Sequence, residues 1–300
     1  MSMIFCQHRD LRPSLHCSFW GEDMDAAQIW RKAHEFLHNQ GAASEAYRIN
    51  PGIGSRRNFR DFLKEMSPQD IEHEISLDPA SGFTVQSGGD RTPQIITYHP
   101  TPLDGGLQGF SIASLDAGNL PIDWSDLVEL LSSMAPLVVA KSTLSLYSAW
   151  QNCEDIGRYT RQFGSAVNFK QYEKGDPPVN RMVLDTSRNP GRNHVRDALS
   201  LGVSAEMWLG PAFWQFAPCR KEEVLAADFF LEVRDTPQFL YLKSWPHPFT
   251  RPDGEQGRIQ QMLWRLLFHE DCEWPPGSGG ISDEPAGGPP ELMPGYPPVS

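Results

Sequence analysis

The chain of 300 residues contains few cysteines, and none are closely spaced. Its five cysteines are scattered, and no Cys-x-x-Cys motif occurs. Disulfide frameworks and zinc knuckles both need cysteines at short, regular spacings, so the sequence argues against either. Free cysteines are typical of a reducing compartment, and the expected location is cytoplasmic.

Long apolar runs are also missing. No run approaches the ~18 apolar residues that a membrane-spanning helix requires. Residues 1–12 lack the apolar core that follows the charges of a secretory signal. We therefore expect no membrane partner and no export signal.

Basic residues are in the minority. The chain has 26 Lys and Arg against 38 Asp and Glu, which gives a net charge of -12 at pH 7. A protein that binds nucleic acid usually carries the opposite sign, because its phosphate contacts need Lys and Arg. The sequence therefore predicts no nucleic-acid partner and favours a basic protein as the partner. It also lacks the Glu-x-Lys or Asp-x-Lys triplet of restriction-type nucleases.

Hydrophobic spacing predicts helices and short strands in both halves of the chain. Helices are expected from Asp23 or Asp25 to Gly41, from Ser55 to Met66, over 124–134 and over 255–268. Strands are expected at 82–87, 94–99, 109–115, 181–185 and 205–209, with a β-hairpin formed by 229–234 and 239–245. Residues 137–148 fit either a buried helix or a buried strand. The prediction is an α+β fold with two sub-lobes, 1–150 and 151–274, each a short antiparallel sheet with flanking helices.

The end of the chain has a different composition. Residues 275–300 contain eight prolines and six glycines and no Lys or Arg. Such a segment buries too little apolar surface to offset the entropy of ordering it, so we predict a disordered tail. A scaffold module that binds partners through this tail is one functional alternative.

The motif His34-Glu35-Phe36-Leu37-His38 has the spacing of zinc metalloproteases. Histidines at i and i+4 share a helix face, and the intervening Glu could activate a metal-bound water. On the predicted helix, however, His34 and His38 lie away from the buried stripe and are expected to face solvent. Glu65 is a possible third ligand, but only its spacing from the motif supports it. A zinc hydrolase using His34, His38 and Glu35 is therefore the alternative to a binding function, and the main prediction includes no cofactor and no metal.

Two acidic clusters lie beside tryptophans. An aromatic anchor ringed by carboxylates suits a surface that captures a basic partner. Acids near a helix N-terminus also stabilise the helix, which is the simpler interpretation of the first cluster. The candidate binding residues are Trp20, Glu22, Asp23 and Asp25 in the first cluster and Glu270, Asp271, Glu273 and Trp274 in the second.

Phe19-Trp20-Gly21-Glu22 before a helix, the turn Asn50-Pro51-Gly52 and the acidic α+β body resemble the immunity protein 52 family of bacterial polymorphic toxin and type VI secretion systems. The resemblance implies a protein that binds and neutralises a cognate antibacterial toxin, typically a nuclease. It implies no catalytic residues, because immunity proteins act by binding. A basic nuclease toxin is thus the expected partner.

Overall fold

The computed structural model describes residues 13–20, 25–41, 44–51, 65–77, 83–87, 95–100, 107–113, 123–163, 170–175, 180–196 and 199–272. The predicted tail 275–300 lies outside these ranges, as does most of the helix predicted after Ser55. Met66, at the end of that predicted helix, forms a β-bridge with Tyr47 instead.

A nine-stranded antiparallel sheet forms the centre of the molecule, in the order β12-β13-β11-β6-β1-β5-β4-β3-β2. Its strands are β1 (Pro13–Trp20), β2 (Tyr47–Pro51), β3 (Phe83–Ser87), β4 (Ile95–Pro100), β5 (Leu107–Ala113), β6 (Leu137–Leu144), β11 (Glu206–Leu209), β12 (Glu232–Asp235) and β13 (Leu240–Lys243). Two short ribbons lie apart from it, β7 (Gln171–Lys174) with β8 (Arg181–Leu184), and β9 (His194–Arg196) with β10 (Leu199–Leu201).

Helices cover both faces of the sheet. The first face is covered by α1 (Ala26–Asn39), α2 (Pro68–Ser76) and α3 (Ser125–Ser132), and the second by α4 (Ser145–Gln151), α5 (Ile156–Phe163), α6 (Phe213–Phe216), α7 (Lys221–Leu225) and α8 (Gly254–Phe268). Within the described ranges, no helix is long and apolar enough to cross a membrane.

The alternation of side chains along each strand separates two hydrophobic cores. In β11, Trp208 belongs to the core under α1–α3, whereas Met207 and Leu209 belong to the core under α4–α8. In β1, Leu15 and Phe19 point to the first core. The first core therefore has members in strands from β13 across to β2, whereas the buried residues that the sheet contributes to the second core come from β6, β11 and β13.

The predicted α+β class with antiparallel pairing is confirmed. Residues 137–148, for which the sequence left helix or strand undecided, form strand β6 followed directly by helix α4. The sheet takes six strands from before residue 150 and three from after it. The division into units 1–150 and 151–274 stays a prediction.

Candidate protein-binding surface

The first predicted cluster is only partly available to a partner. Trp20, the last residue of β1, is partly buried and packs on Phe216 with ring centroids 5.0 Å apart. Asp25 is exposed and caps α1, accepting a hydrogen bond from the backbone N–H of Gln28 at 3.0 Å. This is the helix-stabilising role that the sequence allowed as the simpler interpretation. Glu22 and Asp23 lie outside the described residues.

The carboxylates of the second cluster are paired within the chain. Glu270 accepts a hydrogen bond from Arg192 at 2.9 Å and lies 3.4 Å from Nδ1 of His194. Asp271 accepts a hydrogen bond from Arg265 at 2.7 Å, and this bond together with the charge of Arg265 lowers the pKa of that carboxyl. Glu273 and Trp274 fall outside the described residues.

A row of aromatic side chains connects the two clusters. Helix α6 contributes Phe216, which packs on Trp20, and Phe213, whose ring centroid lies 6.3 Å from that of Phe268. Phe268 ends α8, directly before the loop that carries Glu270. Trp20 and Phe268 therefore both border the helix layer on the second face of the sheet, whereas Asp25 caps α1 on the first face. The role of the two clusters in binding stays a prediction.

Negative charge is concentrated elsewhere, on the helices of the first face. We call residues 25–41, 65–77 and 123–133 the acidic layer. It holds nine carboxylates: Asp25, Glu35, Glu65, Asp70, Glu72, Glu74, Asp123, Asp126 and Glu129. Only two Lys or Arg residues lie within the layer, and both are engaged, Arg31 with Glu72 at 3.2 Å and Lys32 with Glu35 at 2.8 Å. A third cation, Arg48 of β2, pairs with Glu65 at 2.9 Å. The described residues from 145 onward hold fourteen carboxylates against fifteen Lys and Arg, so they are close to neutral.

Packing brings the three parts of the acidic layer together. Helix α1 lies between α2 and α3 and packs against both. The ring of Phe36 stacks on Trp124 at 5.8 Å, which fixes α1 against the start of α3. On α3, Asp126 and Glu129 are exposed one turn apart, next to Leu130, which is 36% exposed. The result is an apolar side chain bordered by two carboxylates.

The clusters beside Trp20 and Trp274 are evident in the sequence, whereas the acidic layer is not. A usable signal was present, because residues 65–77 contain four acids and no base. What the sequence alone could not show is that this segment packs beside α1 and that α3 packs on the other side.

The structure does not complete a zinc site at the His34 motif. In the part of the chain that is described, no third His, Cys, Asp or Glu joins His34 and His38 in a metal-binding group. Glu35 pairs with Lys32, and Glu65 pairs with Arg48 at 2.9 Å. A catalytic zinc needs three protein ligands, so the described residues do not fit one.

The expected exposure of the two histidines is only half right. His38 is exposed, but His34 is partly buried against Trp30 and Tyr47, with ring centroids 5.5 and 5.4 Å away. Burial lowers the pKa of His34, and its Nε2 is enclosed without a hydrogen-bond partner. The helical wheel missed this contact because Tyr47 comes from β2, not from the helix.

A buried lysine lies on the second face of the sheet. Lys141 of β6 is 7% exposed, and its Nζ donates a hydrogen bond to Oδ1 of Asn193 at 2.8 Å. Burial lowers the pKa of Lys141 to about 8. His16 is its neighbour across the pair β1–β6, and burial and then the charge of Lys141 lower the pKa of His16 to about 4. The sequence held a signal for this burial, because Lys141 lies within the apolar segment 137–148 that was expected to be a buried helix or strand.

Comparisons with known proteins give a distant similarity. No protein-family model matches the chain, and no curated protein matches it, so the resemblance to the immunity protein 52 family stays a prediction. The solved structure of the Pseudomonas aeruginosa T6SS protein PA0821 is similar, with a TM-score of 0.49 and 12% sequence identity. The match covers 91% of this chain and 77% of that one.

Proposed function

We propose that this chain is a cytoplasmic immunity protein that binds a basic antibacterial toxin, of the nuclease type, and blocks it without any reaction of its own. The observation that carries the proposal is the charge asymmetry of the fold: nine carboxylates against two paired cations on the acidic layer. The family resemblance supplies the class of partner.

The negative charge of the acidic layer suits a nuclease as the partner. A protein that cuts nucleic acid needs Lys and Arg around its active site to hold phosphates. A surface of the opposite sign is attracted to that site, and the attraction raises the association rate. Once docked, such a surface occludes the entry path of the substrate. The proposed inhibition is thus steric and electrostatic.

Within the acidic layer, helix α3 combines an exposed apolar side chain with neighbouring carboxylates. Its exposed Leu130 supplies apolar area, and Asp126 and Glu129 supply charge beside it. Burial of exposed apolar area stabilises an interface, and polar residues around it help to exclude water. We therefore place the centre of the toxin contact at α3.

The test is protection of a bacterial host that expresses a toxin encoded next to the gene for this chain. We expect wild-type protein to restore growth, and Asp126→Lys/Glu129→Lys to lose protection. The matched control, Glu222→Lys/Glu255→Lys, makes the same charge change on α7 and α8 and should protect like wild type. Binding measured by titration should weaken about tenfold or more for the α3 variant only, and mainly through the association rate.

Each outcome tests a separate part of the proposal. Equal protection by both double variants would show that α3 is not the contact, while leaving immunity itself intact. Failure of wild-type protein to bind or neutralise the neighbouring toxin would contradict the immunity function. Stoichiometric zinc in purified protein, lost in His34→Ala, would favour the hydrolase alternative instead.

A further inference from the structure

Strand β12 forms one end of the nine-stranded sheet, next to β13. Its four residues are all exposed, and within the described ranges no strand pairs with its outer edge. The other end of the sheet differs, because Tyr47 of β2 exchanges two backbone hydrogen bonds with Met66, at 2.9 and 2.8 Å. An uncovered edge presents backbone N–H and C=O groups to which another strand can add.

The hydrogen bonds of the β12–β13 hairpin show which backbone groups of β12 face outward. The N–H of Thr236 donates to the carbonyl oxygen of Phe239 at 3.0 Å. Hydrogen-bonded and non-bonded pairs alternate along antiparallel strands, so Arg234 bonds toward its partner Tyr241. Val233 between them therefore directs its N–H and C=O to the outer edge.

We propose that β12 pairs antiparallel with β12 of a second copy of this chain, about a two-fold axis at Val233. The Val233 residues of the two copies then oppose each other and exchange backbone hydrogen bonds. In this register Glu232 opposes Arg234 of the second copy, and Arg234 opposes Glu232. Opposite charges in directly opposed positions stabilise paired strands, whereas like charges destabilise them. The edge is thus complementary to itself, which is what a two-fold interface requires.

One face of this edge carries exposed apolar side chains beside the carboxylate of Asp235. Val233 is 39% exposed, Leu231 60% and Leu225, at the end of α7, 43%. An ion pair of 2.6 Å between Lys221 and Asp235 holds α7 alongside β12. Pairing of the two copies covers Val233 with apolar surface from the second copy. Of the features that protect an edge from pairing, β12 is short and carries three charged residues, but it contains no Pro or Lys.

On the opposite face, the charged side chains are already held in place. The guanidinium of Arg234 lies 4.1 Å from the ring centroid of Tyr241, and its Nε is 3.0 Å from Glu232. Its side chain also donates to Oγ of Ser125 at 3.0 Å. These contacts hold the guanidinium beside the edge. Forming the ion pair with Glu232 of the second copy therefore costs little additional side-chain entropy.

The first test is the mass of the full chain in solution, measured by sedimentation equilibrium across micromolar concentrations. We expect twice the chain mass of 33.7 kDa. Glu232→Arg or Arg234→Glu places like charges in opposition, and each should weaken the dimer by about tenfold or more. The double swap Glu232→Arg/Arg234→Glu should restore it, and Glu255→Arg on α8 should leave it unchanged. A monomeric wild type, or a double swap no tighter than the single variants, would overturn the proposal.

The second test probes the register by cross-linking, in a Cys6→Ser background. Opposed residues of a hydrogen-bonded pair have Cα atoms about 5.5 Å apart, within the reach of a disulfide. Val233→Cys should therefore form a disulfide-linked dimer under mild oxidation. Asp235→Cys is the matched control, because the two-fold register separates the two copies of residue 235 by four positions. Equal cross-linking of both variants would contradict the proposed axis.

Discussion

Lys141 is a charged side chain in the middle of the sheet, with an amide oxygen as its hydrogen-bond partner. Its ordinary pKa of 10.5 falls to about 8 because burial disfavours the ammonium form. Below pH 8 the lysine is protonated in both the folded and the unfolded chain, so the full cost of burying the charge is present. As the pH rises from 8 to 10.5 the folded form loses its proton first, and the cost disappears.

Lys141→Met should therefore stabilise the protein near neutral pH. A shift of this size corresponds to about 3 kcal/mol, and the loss of the bond to Asn193 offsets about 1 kcal/mol of the gain. We expect the free energy of unfolding in urea to rise by about 2 kcal/mol at pH 7, with a smaller gain at pH 10. Lys170→Met, at a position 78% exposed, is the control and should change little at either pH. A gain that does not depend on pH would contradict the burial argument.

Gly210, just after β11, has no room for a side chain. Its N–H donates to the carbonyl oxygen of Val138 at 2.9 Å, and an added Cβ would overlap the carbonyl oxygen of Leu137. Since backbone atoms cannot rotate away, Gly210→Ala should reduce the free energy of unfolding by about 3 kcal/mol. Gly157→Ala in α5, where the new Cβ would have neighbours at 3.4 Å, should be neutral or slightly stabilising. Thermal or urea unfolding of the two variants checks the contrast.

At the scale of elements, α2 begins with a reciprocal cap. The Oγ of Ser67 accepts from the backbone N–H of Asp70 at 3.2 Å, and the carboxylate of Asp70 accepts from the backbone N–H of Ser67 at 3.4 Å. Ser67→Ala should therefore cost about 1 kcal/mol in urea unfolding. Ser76→Ala, at the other end of the same helix, should cost less than about 0.5 kcal/mol. Equal effects at both ends would show that the cap is not responsible.

Elements with a regular apolar pattern were predictable. The sequence predicts α1, α3 and α8 to within about two residues, because each has a capped start or a clear apolar stripe. It missed α2, whose nine residues bury only Ile71 and Ile75 and so show little periodicity. It also missed β1, although Leu15, Cys17 and Phe19 alternate with polar residues as a half-buried strand requires.

At the scale of the whole molecule, the acidic layer repels itself. Like charges one turn apart, such as Asp126 and Glu129, destabilise a helix, and salt screens that repulsion. We expect the free energy of unfolding to increase by about 1 kcal/mol between low and physiological ionic strength. The increase should be smaller in Asp126→Lys/Glu129→Lys than in Glu222→Lys/Glu255→Lys. The same increase in both double variants would mean that the repulsion is not located on α3.

The order of the strands could not be predicted from the sequence. Local patterns predicted many strands, but they do not specify which strands pair when the partners are far apart along the chain. Strand β6 pairs with β1 on one side and with β11 on the other. For the same reason the acidic layer could be recognised only in the structure, since it combines segments that are far apart along the chain.

The position of β1 also sets the order of events during synthesis. This strand leaves the ribosome well before its neighbours β5 and β6, which begin only at Leu107 and Leu137. Until those strands are synthesised, the backbone groups of β1 and the apolar residues Leu15 and Phe19 lack their native partners. Contacts between distant segments slow folding and leave strands open to misassembly in the meantime. The growing chain should depend on protection by chaperones until β6 has emerged.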